Sequence, residues 1–299
     1  MLRSKLEGVI VPVITPVDDR DRVDESAFRQ VIRYVLGAGV DGMFVGGSAG
    51  EGPLLTADQW DRMIEIAIDE AGEDTYLLGG AIDTSTERVL GKIRQLKEAG
   101  YHNIVVAPTF YTSIKTPDEH LRLFGAAKEA CGDSELIAYN IPSCTGSEIA
   151  VDTMCEMAKR GWIQYCKESS GNLDYFRRLL EQGKEAGLEA FMGDEAGISE
   201  GLLMGACGVV PVCANYEPET FIKAYKAGIQ GNQDELRQLQ QRIDYLRQRL
   251  PLAGPCWIAG VKYAVASLGI GSGKPVSPLQ PLDDRQKAQI DELTAARLR

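Results

Sequence analysis

Histidine is almost absent from this chain: its 299 residues contain two, His102 and His120. Neither belongs to an H-E-x-x-H pair or to a cluster of imidazoles, so a histidine-rich zinc site cannot be assembled, and no metal or other cofactor is expected. The seven cysteines are scattered, odd in number and without a C-x-x-C pair. That pattern suits reduced thiols in the cytoplasm and argues against a disulfide framework. No apolar run approaches the roughly 18–20 residues that cross a bilayer, so no membrane partner is expected. Positive charge is also in deficit, with 32 Lys and Arg against 43 Asp and Glu, a net −11 with no basic tract. A nucleic-acid partner is excluded on that ground. The opening residues Met1 to Glu7 carry charges among the apolar ones and lack the h-region of a secretory signal. The expectation is a soluble cytoplasmic protein.

What the chain does contain is an alternation of short apolar runs with longer amphipathic ones. The apolar runs are Val9–Val17, Gly42–Gly47, Thr75–Ile82, Asn103–Pro108, Glu135–Pro142, Trp162–Glu168, Glu189–Asp194 and Gly208–Cys213. Thr56, Ser85 and the Thr116-Pro117 pair read as helix starts. Ala38-Gly39, Ala99-Gly100, Ala186-Gly187 and Ala227-Gly228 read as helix ends. Eight apolar strands, each followed by a helix, argue for a (β/α)8 TIM barrel over residues 1–230. The competing open sheet normally carries a glycine-rich phosphate turn after its first strand, whereas here that turn is Thr15-Pro-Val-Asp-Asp-Arg20. Residues 231–299 are purely helical in pattern, over Gln233–Leu250, Ile258–Leu268 and Asp284–Leu298, and are expected to form a C-terminal helical extension.

Lys167 is the lone cation in the run Trp162–Ser169. One reading is a strand-end lysine that snorkels to solvent or pairs with Glu168. The other is a desolvated amine, which sheds its proton readily and becomes a nucleophile. With imidazoles so scarce, carbon–carbon chemistry in this chain would rest on an amine rather than on a metal.

In a barrel of this kind, reactive residues collect at the C-terminal ends of the strands. Those ends supply Gly46–Gly52, Tyr139-Asn-Ile-Pro142, Lys167-Glu-Ser-Ser170 and Gly193-Asp-Glu195. Gly46-Gly-Ser-Ala-Gly50 matches the G-x-S-x-G elbow of serine hydrolases, but His102 sits at a strand entrance and His120 within a helix. The same glycine-rich turn could instead expose backbone N–H groups that hold a carboxylate, or be no more than a tight turn.

Taken in order, Gly47-Ser-Ala-Gly-Glu51, Tyr139-Asn-Ile-Pro142, Lys167-Glu168, Gly171-Asn172 and Gly193-Asp194 resemble the dihydrodipicolinate synthase / N-acetylneuraminate lyase family, from about Gly8 into the C-terminal helices. The resemblance implies a class I aldolase that holds pyruvate as an imine. It makes Lys167 the Schiff-base residue, Tyr139 the proton-shuttling phenol, and Ser48 with the amide of Ala49 the holder of the keto-acid carboxylate. Further substrate contacts are expected at Gly193, Asp194, Glu195 and Val210. The partners implied are pyruvate and an aldehyde, in a homotetramer or homodimer.

Three features bear on the substrate. Two residues after Pro142, dihydrodipicolinate synthase has an arginine that grips its aldehyde's carboxylate; here the residue is Cys144, which cannot form a bidentate clamp. After Pro108 the family's second relay tyrosine aligns with Phe110, with Tyr111 beside it as the candidate substitute. Asp194 and Glu195 resemble the acidic pair with which sialic acid lyases hold hydroxyls, or else Asp194 caps a helix with Glu195 in its first turn. Val212 stands where that lyase would carry a hydroxyl. The expected activity is cleavage or condensation of pyruvate with an aldehyde, on a 2-keto-3-deoxy sugar acid or sialic-acid-like substrate, or dehydration of such an acid. Dihydrodipicolinate synthase itself, a serine hydrolase using Ser48 and a non-catalytic keto-acid-binding protein are the alternatives.

Overall fold

The computed structural model describes residues 5–250 and 256–297. Eight short strands, β1 (Gly8–Pro12), β2 (Gly42–Val45), β3 (Tyr76–Gly80), β4 (Asn103–Val106), β5 (Glu135–Asn140), β6 (Tyr165–Glu168), β7 (Glu189–Met192) and β8 (Gly208–Val209), pair in parallel and in sequence order. The cylinder closes where Gly8 and Val9 of β1 meet Gly208 and Val209 of β8. Parallel neighbours need a crossover. These are α1 (Glu25–Gly37), α2 (Ala57–Glu70), α3 (Thr86–Glu98), α4 (Pro117–Cys131), the short α5 (Pro142–Thr145) with α6 (Val151–Lys159), α7 (Leu173–Ala186) and α8 (Ile198–Met204). After β8, α9 (Pro218–Ile229) completes the ring. The fold is a (β/α)8 barrel.

Most strands are shorter than the apolar run that announces them because the run continues into the loop at the upper end, as Val9–Val17 yields β1 over Gly8–Pro12 only, whereas the run Trp162–Glu168 begins below β6 and ends with it. Strand alternation sends every second side chain into the barrel, where Ile10, Phe44, Leu78, Ile137, Tyr165 and Phe191 share one buried cluster. A larger cluster fills the space between strands and helices.

Local capping follows the sequence in part. At α4, Thr116 and Glu119 form a reciprocal capping box behind Pro117. Thr56 and Ser85 precede α2 and α3 as expected, but neither side chain caps; the Thr56 hydroxyl donates instead to Asp58 Oδ1 at 2.6 Å. Gly228 lies inside α9, where a Cβ would meet Leu202 at 2.7 Å. The left-handed turn after α9 falls to Gly231 (φ 67°).

The helical part beyond the ring is α10 (Gln233–Arg249), α11 (Trp257–Ser267) and α12 (Asp284–Arg297). Gln240 on α10 donates to the carbonyl of Glu195 at 2.9 Å and accepts from the amide of Ser199 at 2.9 Å, which fixes α10 over the loop after β7. Lys262 on α11 reaches into the loop after β2 and pairs with Glu51 at 2.5 Å, both side chains being 1% exposed. The second oxygen of Glu51 accepts from the amide of Val276 at 2.7 Å. Among the described residues no helix is long and apolar enough to cross a membrane.

Replacing Lys262 by Met leaves the Glu51 carboxylate buried without its cation. Breaking such a pair from one side costs about 3–5 kcal/mol, so the urea midpoint of Lys262→Met should fall well below that of the parent chain. The double variant Glu51→Gln/Lys262→Met should lose less than the sum of the single losses.

Candidate active site

At the upper rim of the barrel lies a cavity of about 240 Å3, and Lys167 forms part of its floor. Alternation along β6 turns Tyr165 and Lys167 to the same interior face, and the register of β5 against β6 sets Tyr139 directly beside Lys167. The Lys167 ammonium lies 4.2 Å from the centre of the Tyr139 ring and 5.2 Å from that of Phe44. Its residue is 7% exposed, and it makes no ion pair among the described residues. Burial lowers its pKa to about 7, against the opposing pull of Cys144 and Glu195. Glu168 does not supply a partner: its Oε1 accepts from the Ser170 amide at 2.7 Å and from Asn140 Nδ2 at 3.2 Å. The snorkelling and ion-paired readings of Lys167 therefore both fail on geometry.

Tyr139 is 2% exposed. Burial drives its phenol pKa upward, an effect moderated by the hydroxyls of Ser169 and Ser48 beside it. The Ser169 Oγ is itself buried and not aligned for a hydrogen bond with any protein group among the described residues. A phenol, two hydroxyls and an amine thus face one small volume.

Ser48 and Ala49 line the same cavity, on a turn shaped by its glycines and its anchor. The amides of Glu51 and Gly52 close it by donating to the carbonyls of Ser48 and Gly47, both at 3.2 Å. Glu51 adopts a left-handed φ of 53°, held there by Lys262 and Val276. Thr15 ties the turn to the end of β1 by donating to the Gly50 carbonyl at 2.8 Å. The turn is thereby pinned from two sides and presents Ser48 and Ala49 toward Lys167.

Gly193, Asp194, Glu195 and Val210 also line the cavity. At Gly193 a Cβ would stand 2.1 Å from Ser169 Oγ and 3.0 Å from Lys167 Cε, so only glycine allows the lysine and Ser169 to sit as they do. Asp194 does cap: its Oδ1 accepts from the Ala196 amide at 3.2 Å, at the head of a 3-10 turn over Glu195–Gly197. Glu195 is buried, with its carboxyl pKa raised by burial, and accepts from the amide of Cys213 at 2.7 Å. The capping and cavity-lining readings of this pair coexist, because each carboxylate serves a backbone amide while facing the cavity.

Tyr111 is not brought to the cavity of its own chain. It is 95% exposed, at a φ of 71°, whereas Phe110 turns inward and lines an adjoining cavity of about 230 Å3. Neither histidine lines the site; His120 lies on α4, its ring 2.9 Å from Ser147 Oγ. The serine hydrolase reading consequently lacks an imidazole near Ser48 among the described residues.

The structure adds residues that pattern reading did not single out. Ser169, two positions after the lysine, carried a signal, since alternation returns it to the barrel side. Arg247 from α10 and Trp257 from the start of α11 complete the wall, and nothing local marks them, because α10 is rich in arginine throughout.

The whole described chain fits one family. The model of the dihydrodipicolinate synthetase family matches residues 5–297. An uncharacterized DapA-like lyase of Halobacterium salinarum is 31% identical over 288 residues, covering 96% of this chain and 92% of that protein. A 4-hydroxy-tetrahydrodipicolinate synthase of Methanothermobacter thermautotrophicus is 33% identical over 233 residues, covering 76% of this chain and 81% of that protein. The crystal structure of dihydrodipicolinate synthase from Aquifex aeolicus superposes with a TM-score of 0.89 at 26% identity, covering 98% of each chain. An eight-stranded barrel with a C-terminal helical part, matched from end to end by that family's sequence pattern, identifies this chain as a member of the dihydrodipicolinate synthetase family, the pyruvate-dependent carbon–carbon lyases.

Proposed function

We propose that this chain is a class I aldolase or lyase that holds pyruvate as an imine on Lys167 and cleaves or forms the bond between it and an aldehyde. The substrate class is a 2-keto-3-deoxy sugar acid or a sialic-acid-like acid, and dehydration of such an acid could proceed from the same imine. The observation that carries the reading is the Lys167 amine, buried, without an ion pair and with a pKa near 7, next to Tyr139 and the Ser48–Ala49 turn.

The chemistry follows from these positions. The neutral amine of Lys167 adds to the 2-keto carbon while Ser48 and the Ala49 amide hold the adjoining carboxylate. The carbonyl oxygen takes one proton from the adding amine and a second from Tyr139, and leaves as water. The resulting phenolate, strongly basic in its buried setting, takes the proton of the C4 hydroxyl. The C3–C4 bond breaks, the aldehyde departs, and the electron pair is stored on the lysine nitrogen as an enamine. Protonation at C3 and hydrolysis release pyruvate, and condensation is the reverse path.

The second reading, 4-hydroxy-tetrahydrodipicolinate synthase acting on aspartate semialdehyde, is supported by the name of the Methanothermobacter relative. Cys144 in place of a clamping arginine leaves the loop after β5 without a grip on that aldehyde's carboxylate. The exposed Tyr111 fits a homodimeric or homotetrameric assembly in which its hydroxyl serves a neighbouring copy, as the family resemblance implies.

Incubation with pyruvate and borohydride should yield a reduced adduct that peptide mass spectrometry places on Lys167, and Lys167→Ala should yield none. Failure of the folded parent chain to trap pyruvate would sink the reading. A protonated lysine cannot attack, so the trapping rate should rise with pH through about 7 and level off above it. Tyr139→Phe should lower turnover by roughly 10²–10⁴. Gly193→Ala should slow trapping on the order of a hundredfold and also lower the thermal midpoint, since its methyl meets the Glu168 carbonyl at 2.8 Å besides crowding Lys167 and Ser169.

A further inference from the structure

Arg247 stands on the same face of α10 as Gln240, seven residues or two turns away, and Gln240 is bonded to the loop after β7. Buried Ile243 and Leu246 hold that helix against the barrel. The guanidinium is thereby set at the wall of the Lys167 cavity, on the side of Asp194 and Glu195. Its contacts are few. The nearest carboxylate is Asp244 of its own helix at 3.6 Å, too long for a strong hydrogen bond. Glu195 is close enough to feel its charge but is bonded to the Cys213 amide. Among the described residues Arg247 makes no hydrogen bond, although its side chain is only 24% exposed. An arginine presented in this way to a cavity is suited to a planar carboxylate, which it can take through two parallel N–H donors.

We propose that Arg247 binds a second carboxylate at the far end of the substrate, so that the natural ligand is a 2-keto acid acidic at both ends, of the aldaric rather than the aldonic type. This rests on Lys167 forming an imine and deepens that reading. Where the family resemblance implies an arginine on the barrel rim this chain has Cys144, and the outer helix supplies one from another direction. Grip on the acceptor end is thereby separated from the strands that carry the imine chemistry.

The test uses the intact chain and 2-keto acids of five to seven carbons, each as the diacid and as the chain-matched monoacid ending in a methyl group. Half-saturating concentrations for borohydride trapping on Lys167 are measured for each pair, and the readout is the ratio within one protein. Partial loss of trapping in a variant therefore cancels. The parent chain should favour the best diacid over its monoacid by roughly tenfold to a hundredfold, the range of a charge-assisted hydrogen bond. Arg247→Ala and Arg247→Gln should bring the ratio near one, and Arg247→Lys should keep part of it. A purely structural arginine would leave the ratio unmoved. No preference in the parent chain, or a preference that survives in Arg247→Ala, overturns the proposal while pyruvate trapping still stands. Absence of trapping even with pyruvate removes the imine reading, and this inference with it.

Discussion

The desolvation of one amine organises this molecule. Lys167 sits in a barrel mouth with the rings of Tyr139 and Phe44 beside its amine, and the cost of keeping its charge there lowers its pKa to about 7. Everything around the cavity is consistent with leaving that amine without an ion-pair partner. Glu168 is turned aside by Asn140 and Ser170. Glu195 is occupied by Cys213, and Gly193 removes the side chain that would crowd the lysine's own stem. A single well-placed carboxylate would raise the pKa again, so the surrounding hydrogen bonds work by diverting acids.

The barrel supplies that environment through register. Because β5 and β6 run parallel with Tyr139 opposite Lys167, a phenol and an amine meet at a separation set by backbone hydrogen bonds rather than by flexible loops. Loops and outer helices then complete the cavity. The turn after β2 brings two small residues, the loop after β7 brings two acids, and α10 and α11 bring Arg247 and Trp257.

Much of this was legible in the residues themselves. Eight apolar runs of strand length, separated by helical spacing, leave few topologies open, and the strand ends are where Lys167, Tyr139, Ser48 and Gly193 fall. The less legible parts have physical reasons. Apolar runs overshoot their strands because the rim loops are themselves buried, as at Val9–Val17. Thr56 and Ser85 mark helix starts without capping them, since a hydroxyl can be drawn to another acceptor. The pairing of Glu51 with Lys262 joins residues 211 positions apart and leaves no local pattern. Arg247 is one of several arginines on a polar helix, and only tertiary packing distinguishes it from the others. At Tyr111 adjacency to the aligned position suggested a substitute, and the backbone turns its ring away from its own cavity and Phe110 inward, an orientation that no local pattern announces.

Glu51 has a consequence for the modularity of the chain. The turn that presents Ser48 and Ala49 belongs to the barrel in sequence, but its left-handed anchor is held by a cation from α11 and an amide from the segment leading to α12. Those helices also share one buried apolar cluster with the outer face of the barrel. The outer helices therefore help to shape the cavity from beyond the barrel, by anchoring the turn that lines it and by supplying part of its wall.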